Sequence, residues 1–399
     1  MLYTRLLPKY LLALFIFALP FQTRLVLHSW TTPFSEWTSV FLWGTDILLA
    51  LLLIFWRPKF QKSDWLFIAL LAVAVISISH ALIPGVAWYR LLKLAEYILL
   101  FVCLRGVFRD TAMRLVALKA VVASAVFQAI IAILQYAFQH DLGLRLLGES
   151  VLNVHGQGVA VVAANAHSYL RAYGTFPHPN VLAVWLMLGI WALWIWRPKW
   201  HLYVLPMLLV ALFLTFSRTA IAIWLIASAM MWFKHRATSK SIIIVTLATG
   251  MLFALIFWPQ VYSRLHISGS DEAVEVRVFY NHLAQKNILL LGHGIGQFVP
   301  NLVKQFPLHA ASTYQPAHNV YLLVLYEMGI AGLLVLLWFL ALIVRRRPLI
   351  LAFLVLALFD HYFWTLQQGA LMFWGLLAFC TRDNLIVHDK SGDPVPHSV

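Results

Sequence analysis

The sequence has few charged residues, and acidic residues are especially scarce. Only 11% of its 399 residues are charged, and 15 Asp and Glu face 29 Lys and Arg. A soluble domain usually has about a quarter of its residues charged. The chain is instead 62% hydrophobic, with 17 Trp, 27 Phe and 14 Tyr. This composition excludes an ordinary soluble domain and predicts a polytopic membrane protein.

Cysteine is almost absent, and metal-ligand motifs are not seen. Cys103 and Cys380 both lie in or beside apolar runs, which excludes a disulfide framework. No Cys/His spacing typical of a zinc site occurs, and there is no Asp-x-Asp pair. We therefore expect no bound metal and no cofactor.

Long apolar runs are the main feature that is present. A helix needs about 20 apolar residues to cross the hydrocarbon layer. The sequence predicts an all-α polytopic membrane protein with about twelve transmembrane helices, and the first is expected to be a retained anchor rather than a signal peptide. The expected spans are 8–27, 37–56, 65–83, 87–104, 115–138, 179–196, 201–217, 218–233, 241–258, 318–344, 348–365 and 367–381.

Basic residues predict the orientation of these spans. With the N-terminus in the cytoplasm, 19 of the 29 Lys and Arg fall at inner loops or ends. Both termini are then cytoplasmic, including a tail at 382–399. The net charge of +14 is explained mostly by this topology and requires no nucleic-acid partner.

Two long connections, 139–178 and 259–317, fall on the outer side. Loops of this length usually carry function or are disordered. Residues 158–164 favour a short strand or hairpin. Val274, Val278 and Leu283 are spaced as on an amphipathic helix along the membrane surface. We expect one integral membrane domain, 1–399, with two structured outer loops.

Ten ionisable or amide residues from distant segments are predicted at this outer face. A charge beside a membrane span is costly and commonly functional. The candidates are Arg171, His178, Asn180, Arg218, Arg264, Arg277, His318, Asn319, Asp360 and His361.

Each candidate also has a structural interpretation. Arg218 could anchor the chain to lipid headgroups. Arg277 could lie on the solvated face of an amphipathic helix. His178 precedes Pro179 at a helix start, and His318 with Asn319 would suit a helix cap.

Glycine and glutamate residues within the apolar segments have structural interpretations as well. Gly329 and Gly332 are expected to be packing glycines. Glu327 needs a partner, and a structural hydrogen bond is as plausible as a functional one. Glu96 is expected to pair with Lys93 at i, i+3.

Taken together, the candidates indicate an anion site with a proton-accepting group. Guanidinium groups bind phosphate oxygens bidentately and stay charged. A histidine beside them exchanges protons near neutral pH.

Four motifs in these segments resemble the O-antigen ligase and polymerase superfamily of bacterial envelope glycan assembly. They occur in the family's order and cover roughly residues 165–380. The motifs are RAYGTFPHPN at 171–180, SRT at 217–219, the Arg277 helix followed by LGHGIGQF at 291–298, and His318-Asn319 nine residues before GIAG at 329–332.

The resemblance implies a GT-C-like, metal-independent transferase at the periplasmic face of the bacterial inner membrane. It would move a glycan en bloc, with inversion, from undecaprenyl pyrophosphate to an acceptor hydroxyl, with lipid A–core as the favoured acceptor. The resemblance implies that Arg218 and Arg277 hold the pyrophosphate. It implies that His318 activates or orients the acceptor hydroxyl. Arg171, His178 and Asn180 would shape the donor site. Arg264, Asn319, Asp360 and His361 are further candidates for substrate binding.

Several alternatives remain open. A polymerase acting on another lipid-linked glycan, or a protein (pilin) O-oligosaccharyltransferase, differs only in the acceptor. A transporter or flippase would be expected to show repeats and midplane charges or broken helices. A peptidoglycan-type polymerase would rely on an outer carboxylate, for which Asp360 is the candidate.

Overall fold

The computed structural model is mostly helical, with short antiparallel hairpins at its periphery. It describes residues 2–32, 34–234, 236–266, 272–307, 313–344, 349–381, 386–388 and 394–396. Its helices are α1 (Leu2–Ala18), α2 (Gly44–Phe55), α3 (Trp65–Ser77), α4 (Pro84–Val107), α5 (Thr111–Phe138), α6 (Pro179–Trp196), α7 (His201–Leu214), α8 (Arg218–Lys234), α9 (Arg236–Ile256), α10 (Trp258–Leu265), α11 (Glu272–Ala284), α12 (Phe298–Gln305), α13 (Val320–Val344), α14 (Leu349–Leu356), α15 (Tyr362–Thr365) and α16 (Gln367–Cys380). Its strands are β1 (Arg24–Ser29), β2 (Ser39–Trp43), β3 (Val161–Ala164), β4 (His167–Leu170), β5 (Ile386–His388) and β6 (Pro394–Pro396).

The helices fall where apolar runs predict them, but fewer are long enough to cross a membrane alone. Among the described residues, four helices meet that requirement: Lys62–His80, Thr111–Phe138, Pro179–Trp196 and Val320–Val344. A fifth span results if Lys240–Ile256 and Trp258–Leu265, bent by 96°, count as one. The fold is therefore that of an α-helical membrane protein, and the count of twelve spans is not confirmed.

The first two expected spans are shortened by a hairpin. Helix α1 ends at Ala18, two residues before Pro20, and the chain then forms β1, which pairs antiparallel with β2. Residues 24–27 and 39–43 were expected to be helical, and that expectation was wrong. The run Leu25–Val26–Leu27 is exposed in β1, and a short apolar run of this kind suits a strand as well as a helix.

Both long outer connections contain the expected structure. Strands β3 and β4 form a hairpin, and α11 is the expected helix of the second connection. On this helix Tyr280, Leu283 and Ala284 pack against a small apolar cluster around α12. Val274 and Val278 are 37% and 63% exposed, and their contact with a membrane surface stays a prediction.

The second connection also packs into a break in α13. Gly329 has φ 71° and ψ −170°, a non-helical conformation inside this helix. On either side of the break, the amides of His293 and Gly294 donate to Tyr326 and Glu327, and the amides of Ile330 and Ala331 donate to Leu289 and Leu290. Gly329 therefore has a backbone role that simple helix packing does not explain.

Buried charges tie the helices together near this loop. Lys93 pairs with Glu96 at 2.8 Å, as expected, and also with Asp46 at 2.7 Å. The Glu327 carboxylate accepts a hydrogen bond of 2.9 Å from Trp364 Nε1. These contacts join α2 to α4 and α13 to α15.

Candidate functional site

A chain of hydrogen bonds joins three predicted site residues from separate segments. Arg171 follows β4, and its Nε donates to the Thr215 carbonyl at 2.7 Å. Its Nη2 donates to Asn180 Oδ1 at 2.9 Å. Asn180 Nδ2 in turn donates to Asp360 Oδ2, also at 2.9 Å. Arg171 and Asp360, each under a tenth exposed, are thus linked through one amide.

His178 caps the first turn of α6. Its Nδ1 accepts a hydrogen bond of 3.1 Å from the Asn180 amide, and Pro179 occupies the first helical position. An accepting Nδ1 carries no proton. Burial, reinforced by Arg171, lowers the His178 pKa to about 3. The role of His178 as a helix cap therefore accounts for its Nδ1. The ring is neutral at physiological pH.

A second cluster brings His318, Asp360 and His361 together. The rings of His318 and His361 lie 5.1 Å apart, edge to face. The His361 amide donates to Asp360 Oδ1 at 2.9 Å. His318 Nδ1 is buried and has no hydrogen-bond partner within the described structure. A buried polar atom without a partner is uncommon in a native fold, and here it lies beside a carboxylate.

The tautomer of His361 follows from Thr365. The Thr365 hydroxyl donates to the His361 carbonyl at 3.2 Å and shares a 2.6 Å hydrogen bond with His361 Nδ1. Because the hydroxyl has one proton, Nδ1 is assigned as the donor in that second bond. Nε2 then keeps its lone pair, 3.9 Å from Asp360 Oδ1. An incoming proton or cation would satisfy both acceptors.

Electrostatics keep the carboxylate ionised and the imidazoles neutral. Burial lowers the His318 pKa, and Arg277 lowers it further against the opposing effect of Asp360. Burial likewise lowers the pKa of His361 to about 3. For Asp360, burial raises the pKa, but His361, the other histidines and Arg277 outweigh it, so the pKa falls to about 2. The cluster can therefore accept a proton at neutral pH.

Four arginines contribute to the field at this site. Arg277 of α11 lowers the pKa values of His318, His361 and Asp360. Arg171 has its own pKa lowered to about 9, by burial and then by Arg264, Arg277 and Arg218. It stays charged at neutral pH. Arg264, Arg277 and Arg218 therefore lie close enough to Arg171 to disfavour its charge, and their shared role in binding an anion stays a prediction.

A tight turn holds Arg218 and Arg264 near Arg171. Helix α7 ends at Leu214 and α8 begins at Arg218, as expected. Phe216 in this turn has φ 45°, and its carbonyl accepts a 3.4 Å hydrogen bond from Arg264 Nη2. The turn therefore connects α10 to the start of α8.

Asn319 acts as a helix cap. Its Oδ1 accepts hydrogen bonds from the amides of Tyr321 at 2.9 Å and Leu322 at 3.1 Å. This arrangement satisfies the first turn of α13 and fixes where His318 lies. A direct contact of Asn319 with substrate stays a prediction.

Comparison with known families bears on the same residues. Residues 202–337 match the family model described as O-antigen ligase. This segment of the chain is similar to O-antigen ligases. The match contains Arg218, Arg264, Arg277 and His318. No curated protein matches the chain.

The O-antigen ligase domain supplies only part of the site. Arg171, His178 and Asn180 precede the match, and Asp360 and His361 follow it. The bond from Asn180 to Asp360 and the contact between His318 and His361 bring these flanking residues to it. The resemblance to the O-antigen ligase superfamily is therefore confirmed, and the structure extends the site beyond the matched residues.

One feature of the site was missed in the sequence analysis. The donor atoms of His318, Asp360 and His361 all lie within 4.8 Å of one another, close enough to hold a metal ion. The spacing of 42 residues between the two histidines resembles no metal motif, and the Asp360-His361 doublet was the only signal. The positive field of Arg277 opposes a divalent cation here, and the expected metal independence stays a prediction.

Two further residues support the cluster. Trp37 packs edge-on against His361, with ring centroids 5.5 Å apart. Arg90 Nη1 donates to the Thr365 carbonyl at 2.8 Å. Arg90 was counted only as an outer cation, and nothing in the sequence distinguished Trp37 from the 16 other tryptophans.

Proposed function

We propose that this chain transfers a glycan en bloc from undecaprenyl pyrophosphate to an acceptor hydroxyl, with inversion and without a metal. The reaction takes place at the periplasmic face of the bacterial inner membrane, and lipid A–core is the favoured acceptor. The observation that carries the proposal is the buried cluster of His318, Asp360 and His361, whose donor atoms lie within 4.8 Å of one another, with Arg277 near enough to lower the His318 pKa. Such a group accepts a proton while cations nearby stabilise a departing anion.

The proposed reaction is a single displacement at the anomeric carbon. The acceptor oxygen attacks the anomeric carbon as the bond from that carbon to the pyrophosphate oxygen breaks. The hydroxyl proton passes to His318, and Asp360 stabilises the imidazolium that forms. Undecaprenyl pyrophosphate leaves as the anion, with Arg218 and Arg277 on its phosphates.

The other site residues position these groups. Arg171 and Asn180 hold Asp360 through their hydrogen bonds, and His178 fixes the start of α6. Arg264 braces the turn before Arg218. Their proposed effect is on alignment, which contributes several kcal/mol to enzymatic rate enhancements in general.

Two observations favour a transporter as the rival function. Helix α13 is broken at Gly329, and Asp46, Lys93 and Glu96 form a buried charged group. Broken helices and midplane charges are common at transporter binding sites. In this chain, however, the loop at 289–294 fills the break with backbone hydrogen bonds, which favours a structural explanation of the break.

The decisive experiment is reconstitution of the purified chain in liposomes with an undecaprenyl-pyrophosphate-linked glycan. Lipid A–core, a second lipid-linked glycan and a pilin are offered as separate acceptors. We expect glycan transfer to lipid A–core, and transfer to either of the others would assign the polymerase or protein-glycosylating activity. Movement of the donor across the bilayer without transfer would support the transporter instead.

Metal independence is tested in the same assay with EDTA. We expect the transfer rate to be unchanged, because the proposed step stabilises the leaving group with arginines. A rate that falls in EDTA and recovers on adding a divalent metal would contradict this expectation. It would assign the ion to His318, Asp360 and His361.

The pH dependence of transfer should report the lowered His318 pKa. An ordinary imidazole with pKa 6.5 is about three-quarters protonated at pH 6 and is then a poor base. Because burial and Arg277 disfavour the protonated ring, the neutral form persists to lower pH. We expect the acidic limb of kcat/KM to have its midpoint below 6.5. A midpoint at or above 6.5 would argue against His318 as the base.

A further inference from the structure

A second basic cavity lies at the end of the bundle opposite His318. It has a volume of about 690 Å³ and is lined where α4, α13 and α16 end and where α3 and α5 begin. Helix α13 starts two residues after His318. Ile343, near the other end of α13, lines the cavity, whereas none of the candidate site residues does. This cavity is therefore separate from the candidate transferase site.

The described residues that line the cavity carry a net positive charge. Arg105, Arg109 and Arg114 line it, and Asp64 is the one carboxylate among them. Arg105 holds Asp64 with two hydrogen bonds, Nη1 to Oδ1 at 2.6 Å and Nη2 to Oδ2 at 2.7 Å. Three guanidiniums against one neutralised carboxylate leave a net charge of +2, which suits an anion.

The position of Arg114 is unusual for a surface charge. Its side chain is only 4% exposed, and its guanidinium lies 4.6 Å from the centre of the Phe379 ring. Arg109 is exposed at the rim. The two arginines thus place one positive charge inside the cavity and one at its mouth.

Gln61, Ser63, Thr111 and Thr381 add polar groups to the remaining wall. The rest of the wall is apolar and includes Leu66, Phe67, Phe101, Phe339 and Leu342, of which Leu342 is 42% exposed on the outside of the bundle. A free inorganic anion gains nothing from such a wall, whereas an acyl chain does. The combination matches a molecule with an anionic head and an apolar tail.

We propose that this cavity binds the phosphate headgroup of a membrane lipid. Arg109 and Arg114 contact the phosphate, Arg105 is held in place by Asp64, and an acyl chain lies along the wall at Phe339 and Leu342. Basic segments at a membrane surface attract anionic lipids, and this cavity adds a shaped site to that attraction. The proposal is independent of the transferase reaction.

The test measures binding of fluorescent phosphatidylglycerol to the full chain in phosphatidylcholine nanodiscs. We expect saturable binding by the native chain. The Arg109→Gln variant should bind roughly tenfold more weakly, because one charge-assisted hydrogen bond is lost. Arg109 is exposed, so this variant is expected to fold normally. Arg57→Gln is the matched control, since Arg57 is also exposed but does not line the cavity.

Two competitors separate the possible sources of phosphate. Unlabelled phosphatidylglycerol should displace the probe, and inorganic phosphate should not. Displacement by inorganic phosphate at the same concentration would overturn the lipid assignment. Equal affinity of the native chain and the Arg109→Gln variant for the lipid would overturn the site. The affinity of a monodisperse Arg114→Gln variant tests the same site through its buried arginine.

Discussion

Replacing His318 by alanine is expected to lower glycan transfer by about 100-fold to 10,000-fold, the range over which general base catalysis contributes. The substitution removes the neutral imidazole beside Asp360 that is proposed to accept the hydroxyl proton. The measurement is the initial rate of transfer in liposomes with saturating donor. Because chemistry rather than binding is affected, kcat should fall much more than KM changes.

Two variants distinguish a catalytic from a structural role for His318. His318→Gln keeps a hydrogen-bonding side chain but cannot accept the proton, so it should be nearly as inactive as the alanine variant. His155→Ala is the matched control, because His155 is exposed in the first outer loop and lies outside the cluster. Near-normal transfer by either His318 variant would remove the residue from the mechanism.

Replacing Gly329 by alanine is expected to destabilise the folded chain by about 3 kcal/mol or more. Its φ of 71° and ψ of −170° lie in a region essentially restricted to glycine. An added Cβ would lie 2.3 Å from the Leu290 carbonyl oxygen, so the loop at 289–294 would have to move. Thermal unfolding in nanodiscs, followed by tryptophan fluorescence, measures the loss.

Gly106 provides the control for this substitution. It lies in α4, and no heavy atom lies within 4 Å of the position that a Cβ would occupy. Gly106→Ala should therefore leave the melting temperature unchanged or raise it, since alanine is the better helix former. If both variants melted at the native temperature, the break in α13 would not depend on glycine at 329.

The sequence predicted the positions of helices better than their lengths. Apolar runs locate α6 at 179–196 because every residue of a buried membrane helix has to be apolar. The hairpin of β1 and β2 was missed because Leu25–Val26–Leu27 fits a helix or a strand equally well. Which one forms depends on pairing with Ser39–Trp43, a contact that periodicity does not encode.

The convergence of site residues followed from topology, but their partners did not. Charge bias predicts Arg171, Arg277 and His318 at one membrane face, and in the folded chain Arg277 lowers the pKa of both Arg171 and His318. The bond from Asn180 to Asp360 spans 180 residues, and sequence spacing holds no information about it. The neutral state of His318 was equally inaccessible, because it depends on burial and on the distance to Arg277.

The break in α13 has a consequence for how substrates reach the site. Four backbone hydrogen bonds join residues 289–294 to α13, and each contributes about 0.5–1.5 kcal/mol. Lifting this segment as a lid would cost about 2–6 kcal/mol, before any loss of packing. We therefore expect the segment between α11 and α12 to stay in place against α13. A lipid-linked donor in the proposed reaction would then enter past some other side of the bundle.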